Sequence, residues 1–226
     1  MKKLLITSSL IVAIATSVAS AKNNLYVGLN GIAVDSKFNV DNDLKLDKKS
    51  LGLGANVGYK FNNNGLIIAP ELFFDYLNSK KTSTSAEATT ELDVNELGDT
   101  DSYNVKNYYN YKTKLNYRYG ARLNIGYEFN NRFSVVANYG LAAVNYESNA
   151  TVVKDYYEDD YKESDSYKKR GSKISSIYGL GAGYNLNENV TLKLNANSQT
   201  FDYELEEGYK IKNKIMTYSA GVAYNF

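Results

Sequence analysis

Eight stretches of this chain alternate with period two, and all are long. From Leu115 to Phe129, Leu115, Tyr117, Tyr119, Ala121, Leu123, Ile125, Tyr127 and Phe129 oppose Asn116, Arg118, Gly120, Arg122, Asn124, Gly126 and Glu128. Successive strand residues point to opposite sides, so one face is apolar while glycine, asparagine and charge share the other. A soluble barrel or sandwich turns its large apolar residues into a dry core. A face of small residues and sparse charges instead suits the crowded interior of a membrane barrel, with the apolar face against lipid. The final segment, Met216 to Phe226, repeats the pattern: Met216, Tyr218, Ala220, Val222, Tyr224 and Phe226 oppose Thr217, Ser219, Gly221, Ala223 and Asn225. In water such an aromatic edge would invite aggregation, and in lipid it would not.

The period predicts strands over 24–34, 50–61, 66–77, 115–129, 133–146, 173–186, 190–203 and 214–226. All reach the roughly 9 to 11 residues that a tilted strand needs to cross a bilayer. Their connections alternate in length. Asn-rich turns at 62–65, 130–132 and 187–189 suit positive backbone torsions, and long polar links fall at 35–49, 78–113, 147–172 and 204–213. Short turns on one side and long loops on the other match periplasmic turns and extracellular loops. The expected fold is all-β: an eight-stranded antiparallel up-and-down transmembrane β-barrel over 22–226.

Residues 1–21 read as a cleavable signal peptide: Lys2 and Lys3, an apolar run, then Ala19-Ser20-Ala21. The apolar run is too short for a helical span. Removing those two lysines turns the formal +1 into about −1, so no global field draws the chain to nucleic acid. Cysteine and histidine are absent, which removes thiolate metal sites and the usual general base.

In its export site, its eight alternating segments and its terminal Tyr224-Asn225-Phe226, the chain resembles the small eight-stranded outer-membrane barrels of Gram-negative bacteria. The nearest groups are the opacity-type porin-like surface proteins and the transmembrane domain of the outer membrane protein A type. The resemblance implies a cell outer membrane location, with Tyr224 and Phe226 read as a signal by the barrel assembly machinery. It covers essentially the whole mature chain and brings no catalytic motif. Barrel enzymes of this kind usually rely on histidine, so neither enzymatic activity nor a cofactor nor a metal site is expected.

Eight strands enclose room for side chains only. Counting from the short turns sets Glu71 and Asp75 at heights similar to Arg122 and Arg118, which predicts an ion-pair cluster plugging the lumen. The alternative is solvated charge along a narrow water path. Tyr59, Phe61, Tyr127, Phe129, Phe133, Tyr184, Tyr224 and Phe226 are expected in a periplasmic aromatic girdle, and Tyr76, Tyr117 and Tyr119 in an outer one. Tyr108, Tyr109, Tyr111, Tyr156, Tyr157 and Tyr161 lie in the long links. They read either as a binding surface for host or cell-surface molecules or as strands extended above the membrane. The expected function is an adhesin-like surface barrel contacting outer-membrane lipid and lipopolysaccharide, with a small diffusion porin or a structural stabiliser as alternatives.

Overall fold

A computed structural model describes residues 24–40, 44–94, 100–130, 132–156, 161–204 and 210–226. The signal peptide lies outside the described residues. The strands are β1 (Leu25–Val40), β2 (Leu44–Tyr59), β3 (Phe61–Asn63), β4 (Leu66–Val94), β5 (Thr100–Phe129), β6 (Phe133–Tyr156), β7 (Tyr161–Asn185), β8 (Val190–Glu204) and β9 (Lys210–Asn225). All neighbours are antiparallel, and the order β2-β1-β9-β8-β7-β6-β5-β4-β3 closes through β2–β4 pairing. β2 and β3 occupy one position in the ring, giving the eight-stranded barrel. They part at Lys60, next to Tyr59, which the continuing register sets opposite Pro70, whose nitrogen has no hydrogen to donate to the ladder.

The short turns are built as the asparagines suggest. Asn64, Gly65 and Asn130 have positive φ, and Asn187 Oδ1 accepts from the Asn189 and Val190 N–H groups at 2.9 and 2.8 Å. β9 seals against β1 from Asn225 opposite Tyr26 to Ile211 opposite Val40, and the Phe226 N–H donates to the Leu25 carbonyl at 2.9 Å. Along β9 the outward apolar face runs from Phe226 to Met216. Ten residues at about 3.3 Å each, tilted by roughly 40°, give a band about 25 Å tall, the thickness an outer-membrane barrel presents to lipid. Both aromatic girdles face outward. Phe74, Tyr117 and Tyr119 stack on one another at the upper level, and Tyr127, Phe129 and Phe133 form edge and tilted contacts at the lower one.

In the long links the structure takes the extended-strand alternative. Most of 35–49, 78–113, 147–172 and 204–213 is strand, because cross-strand pairing continues far past the lipid band. Above the membrane both faces of a strand can be polar, so pairing persists while the alternation that reveals it fades. The ring also opens there. β2 pairs β4 only from Gly58–Glu71 up to Leu53–Tyr76, and β7 pairs β8 only from Asn185–Thr191 up to Ile177–Gln199. Beyond those points two four-stranded sheets continue separately: β2-β1-β9-β8, and the longer β4-β5-β6-β7. The second sheet stands above the first as a blade.

The departure from the expected pattern concerns phase. Leu115, expected on the outward face, is fully buried. Register irregularities lie between Tyr76 and Ser79 and between Leu115 and Arg118, with Asn78 at positive φ. Each is a bulge that places an extra residue on one strand. Below it β5 points Arg118, Arg122, Asn124 and Glu128 inward, and above it Leu115 and Thr113.

Candidate functional site

The lumen is filled in layers. At its periplasmic end Lys60 pairs with Glu128. Above them is a chamber of about 70 Å3 between residues such as Tyr26, Ile67, Asn124, Val136 and Lys193. Glu71, only 2% exposed, is bonded to Tyr26 and Lys193 of the chamber's lining and is the hub of the charged layer. Its Oε1 accepts from Arg122 Nε at 2.7 Å, and Arg122 also reaches it through the guanidinium tip. Its Oε2 accepts from Lys193 Nζ at 2.9 Å, Asn56 Nδ2 at 2.9 Å and the Tyr26 hydroxyl at 2.8 Å.

Four residues higher on β4, Asp75 Oδ2 accepts from Arg118 Nε at 3.0 Å and from its terminal nitrogen at 2.6 Å. Arg118 also donates to Thr217 Oγ1 at 3.1 Å across the barrel. Between the two ion pairs lies Phe73, with the guanidinium carbons of Arg118 and Arg122 5.7 and 5.1 Å from its ring centroid. The register explains the pairing: Glu71 is opposite Arg122 and Asp75 opposite Arg118 on adjacent strands. Buried charges are tolerated when paired and hydrogen-bonded in this way.

Above the charges the lumen becomes apolar. Ile32, Val34, Phe38, Leu77, Leu115, Val144, Tyr146, Phe201, Tyr203 and Ile215 form one buried cluster between the roots of the two sheets. Tyr146 and Tyr203 stack with ring centroids 4.1 Å apart, and the Tyr203 hydroxyl hydrogen-bonds Ser148 Oγ at 2.5 Å. This layer was not anticipated from the sequence, nor were Tyr26, Asn56, Phe73 and Thr217 as partners of the charges. Tyr26 had a readable signal, since a tyrosine faces inward opposite Gly58. A Cβ on Gly58 would come within 2.4 Å of the Tyr26 ring tip.

The four luminal residues come together, whereas the link tyrosines are spread along the blade. Tyr108, Tyr109 and Tyr111 lie on β5, opposite Val153, Val152 and Ala150 of β6. Tyr108 and Tyr111 are half-buried and an odd number of residues apart, hence on opposite faces. The Tyr108 ring has Lys106 Nζ 5.4 Å from its centroid. Tyr156 and Tyr161 pair at the blade tip. Their side chains and that of Tyr109, and Tyr157 entirely, lie outside the described residues. Glu147 on the outer face of the blade is held by Arg170 at 3.1 Å and Lys168 at 3.5 Å. The Arg170 hydrogen bond keeps its carboxyl below the usual range.

No curated protein matches the chain at a significant level. Among solved structures it is similar to the attachment invasion locus protein Ail of Yersinia pestis, seen with the heparin analogue sucrose octasulfate (16% identity, 91% of this chain and 99% of that one, TM-score 0.37). It is also similar to Neisserial surface protein A (12% identity, 89% and 97%, TM-score 0.43). A third is the outer membrane protein OprG of Pseudomonas aeruginosa (14% identity, 91% and 97%, TM-score 0.48). The family described as outer membrane protein beta-barrel domain matches residues 4–226. With that match over nearly the whole length, the closed antiparallel barrel and the lipid-facing band, the chain belongs to the outer membrane protein β-barrel family and resides in the outer membrane.

Proposed function

We propose that this protein is a non-conducting, non-catalytic surface barrel whose blade binds external partners in the manner of an adhesin. The observation that carries this reading is the contrast between the two ends of the strands. The lumen is occupied by four ion pairs and an apolar cluster, while β4, β5, β6 and β7 stand clear of the shorter sheet with long free edges. Tyrosines spread over a sheet give large contact area at small entropic cost, and loops and extensions on a rigid scaffold are where binding concentrates. The partners are host or cell-surface molecules at the blade, outer-membrane lipid and lipopolysaccharide around the barrel, and the barrel assembly machinery at Tyr224 and Phe226. Nucleic acid is not among them.

Removing 83–111 and 150–167, each replaced by a two-residue turn, keeps the pairs Thr82–Lys112 and Asn149–Lys168 in register. The shortened barrel is expected to keep its heat-modifiable gel mobility and to lose binding to cells or extracellular matrix. Binding at full strength by the folded, shortened barrel refutes the reading, as does a large steady conductance of the intact protein in planar bilayers.

A further inference from the structure

Two stretches of this chain read Asn-x-Thr, the triplet at which exported proteins accept sugar on an asparagine amide: Asn149-Ala150-Thr151 and Asn189-Val190-Thr191. The structure uses the second for folding. Asn189 Nδ2 donates to the Asn225 carbonyl at 3.0 Å, and Thr191 Oγ1 donates to Asn185 Oδ1 at 2.8 Å and accepts from Asn225 Nδ2 at 3.0 Å. The first triplet has no such part in the fold. Among the described residues no hydrogen bond engages the Asn149 side chain, whose Oδ1 lacks a partner, and the exposed Thr151 hydroxyl meets that of Ser166 at 3.5 Å.

An acid, Glu147, precedes Asn149 by two, and neither residue flanking Asn149 is proline. Bacterial oligosaccharyltransferases read that longer pattern, an acidic residue two before the asparagine and a hydroxyl two after it. Residues two apart on a strand share a face. Glu147, Asn149 and Thr151 therefore line up on the outer face of the blade, while Ser148, 2% exposed, turns inward to Tyr203 and Thr113. Asn149 is opposite Lys112 of β5 and Lys168 of β7, both exposed, and their flexible stems can move aside for a sugar ring. It stands six residues beyond Ala143, the partner of the girdle residue Tyr119. Along a strand tilted by roughly 40° that is about 15 Å higher, so a glycan on Nδ2 projects into water beside the blade.

We propose that Asn149 is an N-glycosylation site, modified during export by a periplasmic oligosaccharyltransferase that uses a lipid diphosphate-linked oligosaccharide. Asn149 Nδ2 loses a proton and forms a bond to the anomeric carbon of the first sugar. The bond from that carbon to the diphosphate oxygen breaks, and the lipid diphosphate leaves with the electron pair. Transfer precedes barrel closure, because ladders to β5 and β7 on both sides keep the folded segment out of a catalytic cleft. The proposal rests on export to the outer membrane and is independent of what the blade binds.

The test takes the full chain from the outer membranes of the cells that make it, and from a Gram-negative host supplied with such an enzyme and its donor. Intact mass is the readout. A single oligosaccharide increment is expected from both sources. In the supplied host, Asn149→Gln and Thr151→Val are expected to lose the increment entirely and Glu147→Gln to lose most of it, while Asn189→Gln keeps it. Valine suits strands and all three outer-face positions lie above the lipid band, so the variants themselves should fold, which heat-modifiable gel mobility checks. The sugar-free barrel, folded in vesicles and incubated with enzyme and donor, is expected to accept nothing. An unmodified mass from the protein's own outer membranes overturns the proposal. So does an increment that survives Asn149→Gln, or ready glycosylation of the folded barrel.

Discussion

Replacing Glu71 by glutamine is the most informative single perturbation of the lumen. Its carboxylate offsets two cations, Arg122 and Lys193, and accepts further hydrogen bonds from Tyr26 and Asn56. An amide has one oxygen and one donating nitrogen, so at least one of these donors would face an N–H2 group instead of an acceptor. Removing one member of a buried ion pair costs about 3–5 kcal/mol, largely because the partner charge stays buried. The Arg122 side chain, 7% exposed, has no route to water, while Lys193, 19% exposed, can relax toward the chamber below. That relief points to the lower end, about 3 kcal/mol. Glu128→Gln provides the comparison, because its partner Lys60 is 29% exposed and a pair reaching solvent is worth about 1 kcal/mol or less. The difference of about 2 kcal/mol corresponds to roughly a thirtyfold shift in the folding equilibrium. Because the chain has no tryptophan, denaturant unfolding in vesicles is followed by far-ultraviolet circular dichroism and gel mobility, with equal slopes required before midpoints are compared. If Glu71→Gln lies within about 1 kcal/mol of the parent, or matches Glu128→Gln, the picture of a dry charged hub is refuted. Adding Lys193→Met to Glu71→Gln is expected to restore part of the loss, giving a coupling that a double-mutant cycle reads directly.

Gly58→Ala would put a methyl 2.4 Å from the Tyr26 ring tip and 2.8 Å from the Pro70 carbonyl oxygen, so a loss of about 1–3 kcal/mol is expected in the same unfolding assay. The bulge in β5 is checked with cysteines introduced into this cysteine-free chain: Tyr117→Cys is expected to react with a membrane-phase maleimide, whereas Leu115→Cys stays unlabelled in the folded barrel. Burial pushes the Tyr203 hydroxyl above its ordinary range. Its contribution is therefore complete below about pH 10, where the unfolded phenol is still protonated, and declines as pH rises toward the folded value. Unfolding midpoints are expected to fall above about pH 10, less steeply in Tyr203→Phe. Shortening the chain by Phe226 removes the bond to the Leu25 carbonyl and the ring packed 5.1 Å from Tyr224, and is expected to slow assembly into outer membranes in a pulse-chase assay.

What the sequence made legible follows the lipid. Where one face of a strand meets lipid and the other the lumen, chemistry and period coincide. Strand number, turn positions, girdles and the heights of Glu71, Asp75, Arg118 and Arg122 can then be counted directly. The blade was legible only as one of two alternatives because water contacts both its faces: segments such as Thr82–Thr90 pair in full register with no apolar side to announce them. The opening of the ring above Tyr76 and Gln199 was not legible at all. It depends on which strands stop pairing, and a period is a property of one strand alone.

The apolar layer shows how a local irregularity sets the character of the lumen. With a constant phase, β5 would point Asn116 and Lys114 inward above Arg118, and the lumen would stay polar up to the mouth. The extra residue between Arg118 and Leu115 exchanges the two sets, so that Leu115 and Thr113 face Leu77, Val144, Tyr146 and Ile215, while Lys114 turns outward to join Lys80. One bulge thus has two consequences. It caps the Asp75–Arg118 pair with a dry layer, where the lower dielectric strengthens each hydrogen bond and makes any loss of a partner more costly. It also turns Lys114 to the outer face, where Glu147 of β6 stands directly opposite it. A plug of charge alone would end in polar side chains at the mouth; here the charge is roofed by apolar packing, and the same inserted residue both sets that roof and turns Lys114 outward.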